Sequence, residues 1–129
     1  MANAVDILEV GAKVRGILLD NAEVTAITTK IFPVAVDKAE CPYIAYRRAS
    51  TQHTPVSGVP GPYTAQVQFA LYTADYPQGI ALAKAVINAL DAKWFEGEGW
   101  RIRRITLTDA GENWVGDAYE QLLTFSISM

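Results

Sequence analysis

Between Tyr63 and Thr73 the chain reads YTAQVQFALYT, in which Ala65, Val67, Phe69 and Leu71 alternate with Thr64, Gln66, Gln68 and Ala70. A period of two is that of a β-strand with one apolar and one polar face. The stretch that follows, DYPQGIALAKAVINALDAKW, changes to helical spacing. There Ile80, Ala83, Val86, Ile87 and Leu90 form one broad apolar stripe, flanked by Lys84 and Asn88. Asp75 stands where a helix is capped, and Pro77 suits its first turn. A one-faced strand beside a one-striped helix is satisfied when the helix covers the strand's apolar side. This juxtaposition selects a layered α+β fold.

The rest of the chain extends the pattern. Val5, Leu8, Ala12, Ile17 and Leu19 recur at roughly helical spacing, so residues 5–19 read as a first amphipathic helix. Asn21 is a candidate N-cap for one further turn carrying Val24 and Ile27. KIFP is a short extended piece ended by Pro33, and VAVDKAECP reads as a loop. YIAYRRAS (43–50) reads as strand, the partner of 63–73. FEGEGW (95–100) and DAGENWVGD are turn clusters on either side of the strand WRIRRITLT, and AYEQLLTFSISM is the last strand. The alternation of Trp100 and Ile102 slips to Ile105 and Leu107, and a β-bulge at Arg103–Arg104 would explain it. The expected architecture is one domain over residues 1–129. It is a two-layer sandwich, a mainly antiparallel four-stranded sheet with two main helices packed on one face. Strands 63–73 and 100–108 would run parallel if adjacent.

Composition removes several classes of function. The net charge of −3 leaves no footprint for sequence-independent binding to nucleic acid, and nothing points to sequence-specific recognition. No run of eighteen apolar residues is present, so no membrane partner is expected. The N-terminus, broken up by Asp6, Glu9, Lys13 and Arg15, lacks the pattern of a signal peptide, and a soluble, intracellular protein is expected.

Reactive groups are few. His53 is the single histidine, so a metal site or general base would lack its usual companions. Cys41, the sole cysteine, lies between Glu40 and Pro42, where an acidic neighbour raises rather than lowers a thiol pKa. Ser50 and Ser57 lie in no G-x-S-x-G frame, and the glycines form no phosphate-binding loop. The carboxylates Glu96, Glu98, Asp109, Glu112 and Asp117 read as ordinary acidic turns. No catalytic residue, cofactor or metal is expected.

Surfaces are better marked. Arg47, Arg48, Arg101, Arg103 and Arg104 are the sharpest polar signal, and on one strand Arg101 and Arg103 would share a face. Two readings stand: a patch contacting an acidic protein or a nucleic-acid backbone, or the solvated face or charged edge of a sheet. Two long loops are also expected, at 50–62 and 108–117. The segment STQHTPVSGVPGP is far longer than a tight hairpin turn needs, and its prolines cannot donate to a ladder. It is either a plain connector or an arm that becomes ordered against a partner. The candidate protein-contact residues are therefore Arg47, Arg48, His53, Val56, Val59, Arg101, Arg103 and Trp114.

In order and spacing, the N-terminal helix, KIFP, CPYIAYRR, AQVQFALYTADYPQGIALAKAVINALDA and the closing YEQLLTFSIS resemble the tail completion, or head–tail joining, family of long-tailed bacteriophages and prophages. The resemblance covers nearly the whole chain and is weakest over residues 94–118. It implies a non-enzymatic α+β protomer that forms a ring, commonly sixfold, at the top of the tail. It further implies contacts with copies of itself, with the tail tube protein and with the head connector. Such a protein would assemble in the host bacterial cytoplasm, remain in the virion, and stay monomeric in dilute solution. The competing reading from the residues is a small ligand-binding or enzymatic α+β domain with an unrecognised pocket.

Overall fold

The computed structural model describes residues 4–34, 39–53 and 63–129. Helices α1 (Ala4–Ile7), α2 (Val10–Leu19) and α3 (Ala22–Thr25) lead into strands β1 (Ile31–Pro33), β2 (Tyr43–His53) and β3 (Tyr63–Thr73). Helix α4 (Tyr76–Leu90) follows, then β4 (Phe95–Gly97), β5 (Trp100–Ile102), β6 (Arg104–Val115) and β7 (Ala118–Ser128). The main sheet has five strands in the order β1-β2-β3-β7-β6, while β4 and β5 form a small sheet of their own.

The α+β class is as expected, but the sheet is not the four-stranded antiparallel one that the sequence suggested. KIFP joins it as a fifth strand, and β1 pairs with β2 in parallel. Segments 63–73 and 100–108 are not neighbours, because β7 lies between β3 and β6. The slip at Arg103–Arg104 is a change of sheet rather than a bulge. Trp100–Ile102 pairs with Phe95–Gly97, and from Arg104 onward the chain pairs with β7. The register shifts lie elsewhere, between Arg48 and Ser50 and between Leu107 and Asp109.

Both expected long loops contain strand. Tyr43 to His53 pairs continuously with β3 apart from the one shift, so Ser50–His53 and their side chains belong to the sheet. Residues 109–115 pair with 118–124, closed by Gly116 and Asp117 at φ 56° and 64°. Positive φ at both central residues makes a two-residue turn whose twist matches that of the flanking strands.

One sheet face carries the core. Ala65, Val67, Phe69 and Leu71 on β3 are buried with Leu123, Phe125 and Ile127 on β7. The Phe69 and Phe125 rings meet edge to face at 5.6 Å. Leu82, Val86 and Leu90 of α4 are buried and belong to this core, while Ile87, at the edge of the expected stripe, packs against it half-buried. The N-terminal stripe differs from the reading above. The chain breaks between α1 and α2, and the buried positions are Ile7, Val10, Val14 and Leu18, which leaves Leu8 outside. Asn21 caps α3 as expected, its Oδ1 accepting from the amides of Glu23 and Val24 at 3.1 Å each. Asp75 takes the extended N-cap conformation before α4 without a capping side-chain bond.

Two glycines set how closely helices approach the sheet. A Cβ on Gly79 would lie 2.8 Å from Thr73 Oγ1, and one on Gly11 would lie 2.8 Å from Cε2 of Tyr46. No helix of the described residues is long and apolar enough to cross a membrane.

Candidate functional site

The two edges of the main sheet are each covered over only part of their length. β1 reaches only Ile44–Tyr46 on β2. Beyond it, among the described residues, the outer side of Arg47–His53 has no neighbouring strand. On the far edge, Ala92 donates its amide to Ile105 O at 2.8 Å, and Ile105 returns a bond to Lys93 O at 3.0 Å. The Leu107 amide donates to Asp91 Oδ1 at 2.8 Å. These bonds occupy the first part of β6 and, among the described residues, leave Asp109–Val115 as open edge. Unpaired edge backbone is a template for another strand.

The hairpin end of β6 and β7 is held by an aromatic and acidic cluster. Tyr76 donates its O–H to Glu112 Oε2 at 2.7 Å, and Gln121 donates to the same oxygen at 3.0 Å. The Gln121 bond first, then the Tyr76 bond, keeps the Glu112 carboxyl below its ordinary range. The same bond raises the Tyr76 phenol. Tyr119 stands edge to face with Tyr76 at 5.5 Å and with Trp114 at 4.8 Å. Trp114 is thus oriented from below and open to solvent above.

The face of the sheet away from the helices holds a second cluster. Tyr43 stacks on Tyr72 at 4.8 Å, and Tyr72 donates to Glu120 Oε2 at 2.7 Å. Asn113 Nδ2 donates to the other Glu120 oxygen at 3.3 Å. Burial, and then the bond to Glu120, hold the Tyr72 phenol well above its ordinary value. Tyr43 is raised as well, chiefly by burial. Arg47, Gln68, Tyr72 and Glu120 border a hollow of about 190 Å³ here, smaller than the roughly 300–1,000 Å³ of ligand pockets.

The sequence-selected residues fall in three places. Arg47 and Arg48 are exposed on the open part of β2, with Arg47 Nε donating to Gln68 Oε1 at 3.0 Å. His53 ends that strand, exposed and stacked on Tyr63 at 4.4 Å, and is not a loop residue. Trp114 is on β6, at the opposite edge. Arg101 lies on β5, its guanidinium 6.0 Å from the Trp94 ring, whereas Arg103 falls between β5 and β6, so the two do not share a strand. Val56 and Val59 lie outside the described residues. Val115, Leu8 and Val34, all exposed, were not selected from sequence. Exposed aliphatic side chains carry no signal in a sequence until their elements are placed. Among the described residues no three histidine, cysteine or acidic side chains are grouped to hold a metal.

The family described as tail completion protein gp17 matches residues 12–129. The chain belongs to that family. A tail completion protein is a structural virion component and not an enzyme, and it works among other virion proteins. The fold has a counterpart in a solved structure, a chain of the virion of a native gene transfer agent particle. That chain superposes with a TM-score of 0.77 over 92% of each chain at 18% identity, which shows a common fold. No curated protein matches.

Proposed function

We propose that this tail completion protein is the subunit of a homo-oligomeric ring, sixfold as in the family it resembles, at the head-proximal end of a tail. There it terminates the tail tube and presents its other face to the head connector. Assembly takes place in the host bacterial cytoplasm, and the ring remains at the head–tail interface of the virion. The observation that carries this reading is the pair of half-open sheet edges on opposite sides of one protomer. Unlike surfaces on two sides make a head-to-tail contact, and such a contact closes into a ring when the rotation permits.

Native mass spectrometry of concentrated protein, with electron microscopy of particles, tests the proposal. The expected result is one closed oligomer, seen in particles at the top of the tail. Strictly twofold dimers under every condition, or a position elsewhere in the particle, would overturn it.

A further inference from the structure

We infer that neighbouring subunits join by sheet extension. Asp109–Val115 of β6 in one copy pairs antiparallel with Arg47–His53 of β2 in the next, and Trp114 fills the groove beside Leu8 and Val34. The partner is a second copy of this chain, and the inference rests on the ring reading above.

Strand polarity is fixed by topology. β2, β3, β7 and β6 are each antiparallel to the one before, so β2 and β6 run in opposite directions. Copies related by rotation alone therefore present β6 antiparallel to the next copy's β2, the arrangement that needs no inversion. The two open stretches are equal in length, residues 47–53 and 109–115. Their positions also interlock, because Asp109 lies in the same row as Arg47 through Thr124 and Gln68. With Val115 brought opposite Arg47, neighbouring copies are offset by about six residue rows for every four strands. At about 3.3 Å per residue and 4.8 Å per strand, this inclines the strands by about 45°, at the upper end of the range in which closed sheets tilt.

Side chains then meet on matching faces, with Ala49 standing out of the ladder as it does against β3, so that Asn113 meets Ser50 and Glu112 meets Thr51. In this register Trp114 comes opposite Arg48, and Val115 opposite Arg47. Trp114 pairs with Tyr119, beside Thr73, and so lies on the helix-covered face. Arg48, paired with Val67, lies on that same face. There a groove of about 420 Å³ runs between Leu8, Gly11, Val34, Tyr46 and Arg48. Leu8 is 58% exposed and Val34 71%, while Trp114 is 58% exposed and Val115 47%. Exposed apolar surface at both ends of one proposed contact is what a joint between copies requires. Val34 directly follows β1, whose Pro33 pairs with Tyr46, so the hairpin turn of one copy abuts the end of β1 in the next. Arg48 under the Trp114 ring supplies a cation–π contact. The arginines of one edge also face a hairpin bearing Asp109 and Glu112.

The test is directed disulfide formation in a Cys41→Ser background. An antiparallel pair places Cα atoms about 4.5–5.5 Å apart, within reach of a disulfide. Arg47→Cys combined with Val115→Cys should give, on mild oxidation of the assembled protein, a covalent ladder ending at the ring. Each single variant should remain uncrosslinked, and Ser50→Cys with Val115→Cys should give little product. Trp114→Ala should abolish the oligomer while thermal unfolding and circular dichroism stay those of the parent. A ring by native mass spectrometry without the 47–115 crosslink, or a ring that survives Trp114→Ala, overturns this joint and leaves the ring reading standing. Failure of the parent protein to form a ring under any condition overturns both.

Discussion

Tyr76, the first residue of α4, donates its phenolic O–H to Oε2 of Glu112 on β6 at 2.7 Å, tying the helix start to the hairpin. The bond needs a protonated phenol and an ionised carboxyl. Glu112 is lowered in the folded protein, so its contribution is present above the ordinary value of 4.5 and is lost as pH falls through the lowered one. Tyr76 is raised, so its contribution is present below 10.0 and is lost as pH rises through the raised value. Tyr76→Phe should therefore separate from the parent protein in urea unfolding only between those limits. Both groups are exposed and the effect will be small. A difference that persists in acid once the Glu112 carboxyl is protonated would show that ring packing rather than the hydrogen bond is responsible.

Alkaline titration of the six tyrosines should be spread out rather than uniform. Tyr43, Tyr72 and Tyr76 are all raised, and Tyr72 most, by burial and by its bond to Glu120. A raised folded-state value means that the stability contributed by Tyr72 is complete below pH 10.0 and is lost as pH climbs through the folded value. In a spectrophotometric titration Tyr72→Phe should remove the last phenol to ionise. If the last step survives in that variant, the assignment is wrong.

The core prediction separates the two faces of β3 and β7. Phe125 is fully buried and meets Phe69 edge to face. Phe125→Ala should cost about 3–5 kcal/mol in chemical denaturation, by lost transfer energy plus a cavity. Gln66, on the opposite face and only half-buried, should tolerate alanine within about 0.5 kcal/mol. Comparable losses at both positions would mean that the second face is covered in the isolated chain.

Glycine to alanine inside a helix is ordinarily stabilising by about 0.5–1 kcal/mol. At Gly79 the sign should reverse, because the new Cβ would lie 2.8 Å from Thr73 Oγ1. That hydroxyl cannot retreat freely, since it donates to Asp75 O at 2.8 Å where α4 begins. Overpacking of this kind costs about 1–3 kcal/mol. Combining Gly79→Ala with Thr73→Ala should cost less than the sum of the two single losses, the clash being absent in the double variant. Simple addition of the two losses would exclude a clash between the pair.

These positions show what was legible in the sequence. The period-two run at 63–73 and the stripe on α4 are signals of a covered face, and both elements formed with their apolar sides on one core. β1 was read as extended but not as a sheet member, because three residues are too few to show a period. The 109–115 strand was hidden for a different reason. It is exposed on both sides, so nothing in DAGENWV alternates, and its glycine and asparagine suit turns; pairing with β7 overrides them. At the N-terminus two stripes compete, and the break at Leu8–Glu9 lets Ile7, Val10, Val14 and Leu18 win. Arg47, Arg48 and Trp114 were marked by residue type alone. That they occupy opposite edges of one sheet follows from strand order, which no local pattern encodes.

The last prediction concerns the connection between β2 and β3. His53 pairs with Tyr63, so the ladder is already closed at the point where residues 54–62 begin. Replacing those residues by Asn-Gly would join the strands through a turn whose φ values suit a two-residue hairpin. It would also shorten the loop that must be closed on folding. The variant should fold with stability equal to or slightly above that of the parent. Proline-rich segments of this length in compact domains usually serve a function, and three prolines lower the cost of ordering against a partner. The shortened protein is therefore expected to remain a stable monomer that no longer completes tails. Particle assembly in a complementation assay, read beside thermal unfolding of the purified variant, decides the matter. If the shortened protein still builds infectious particles, Val56, Val59 and their neighbours only connect two strands.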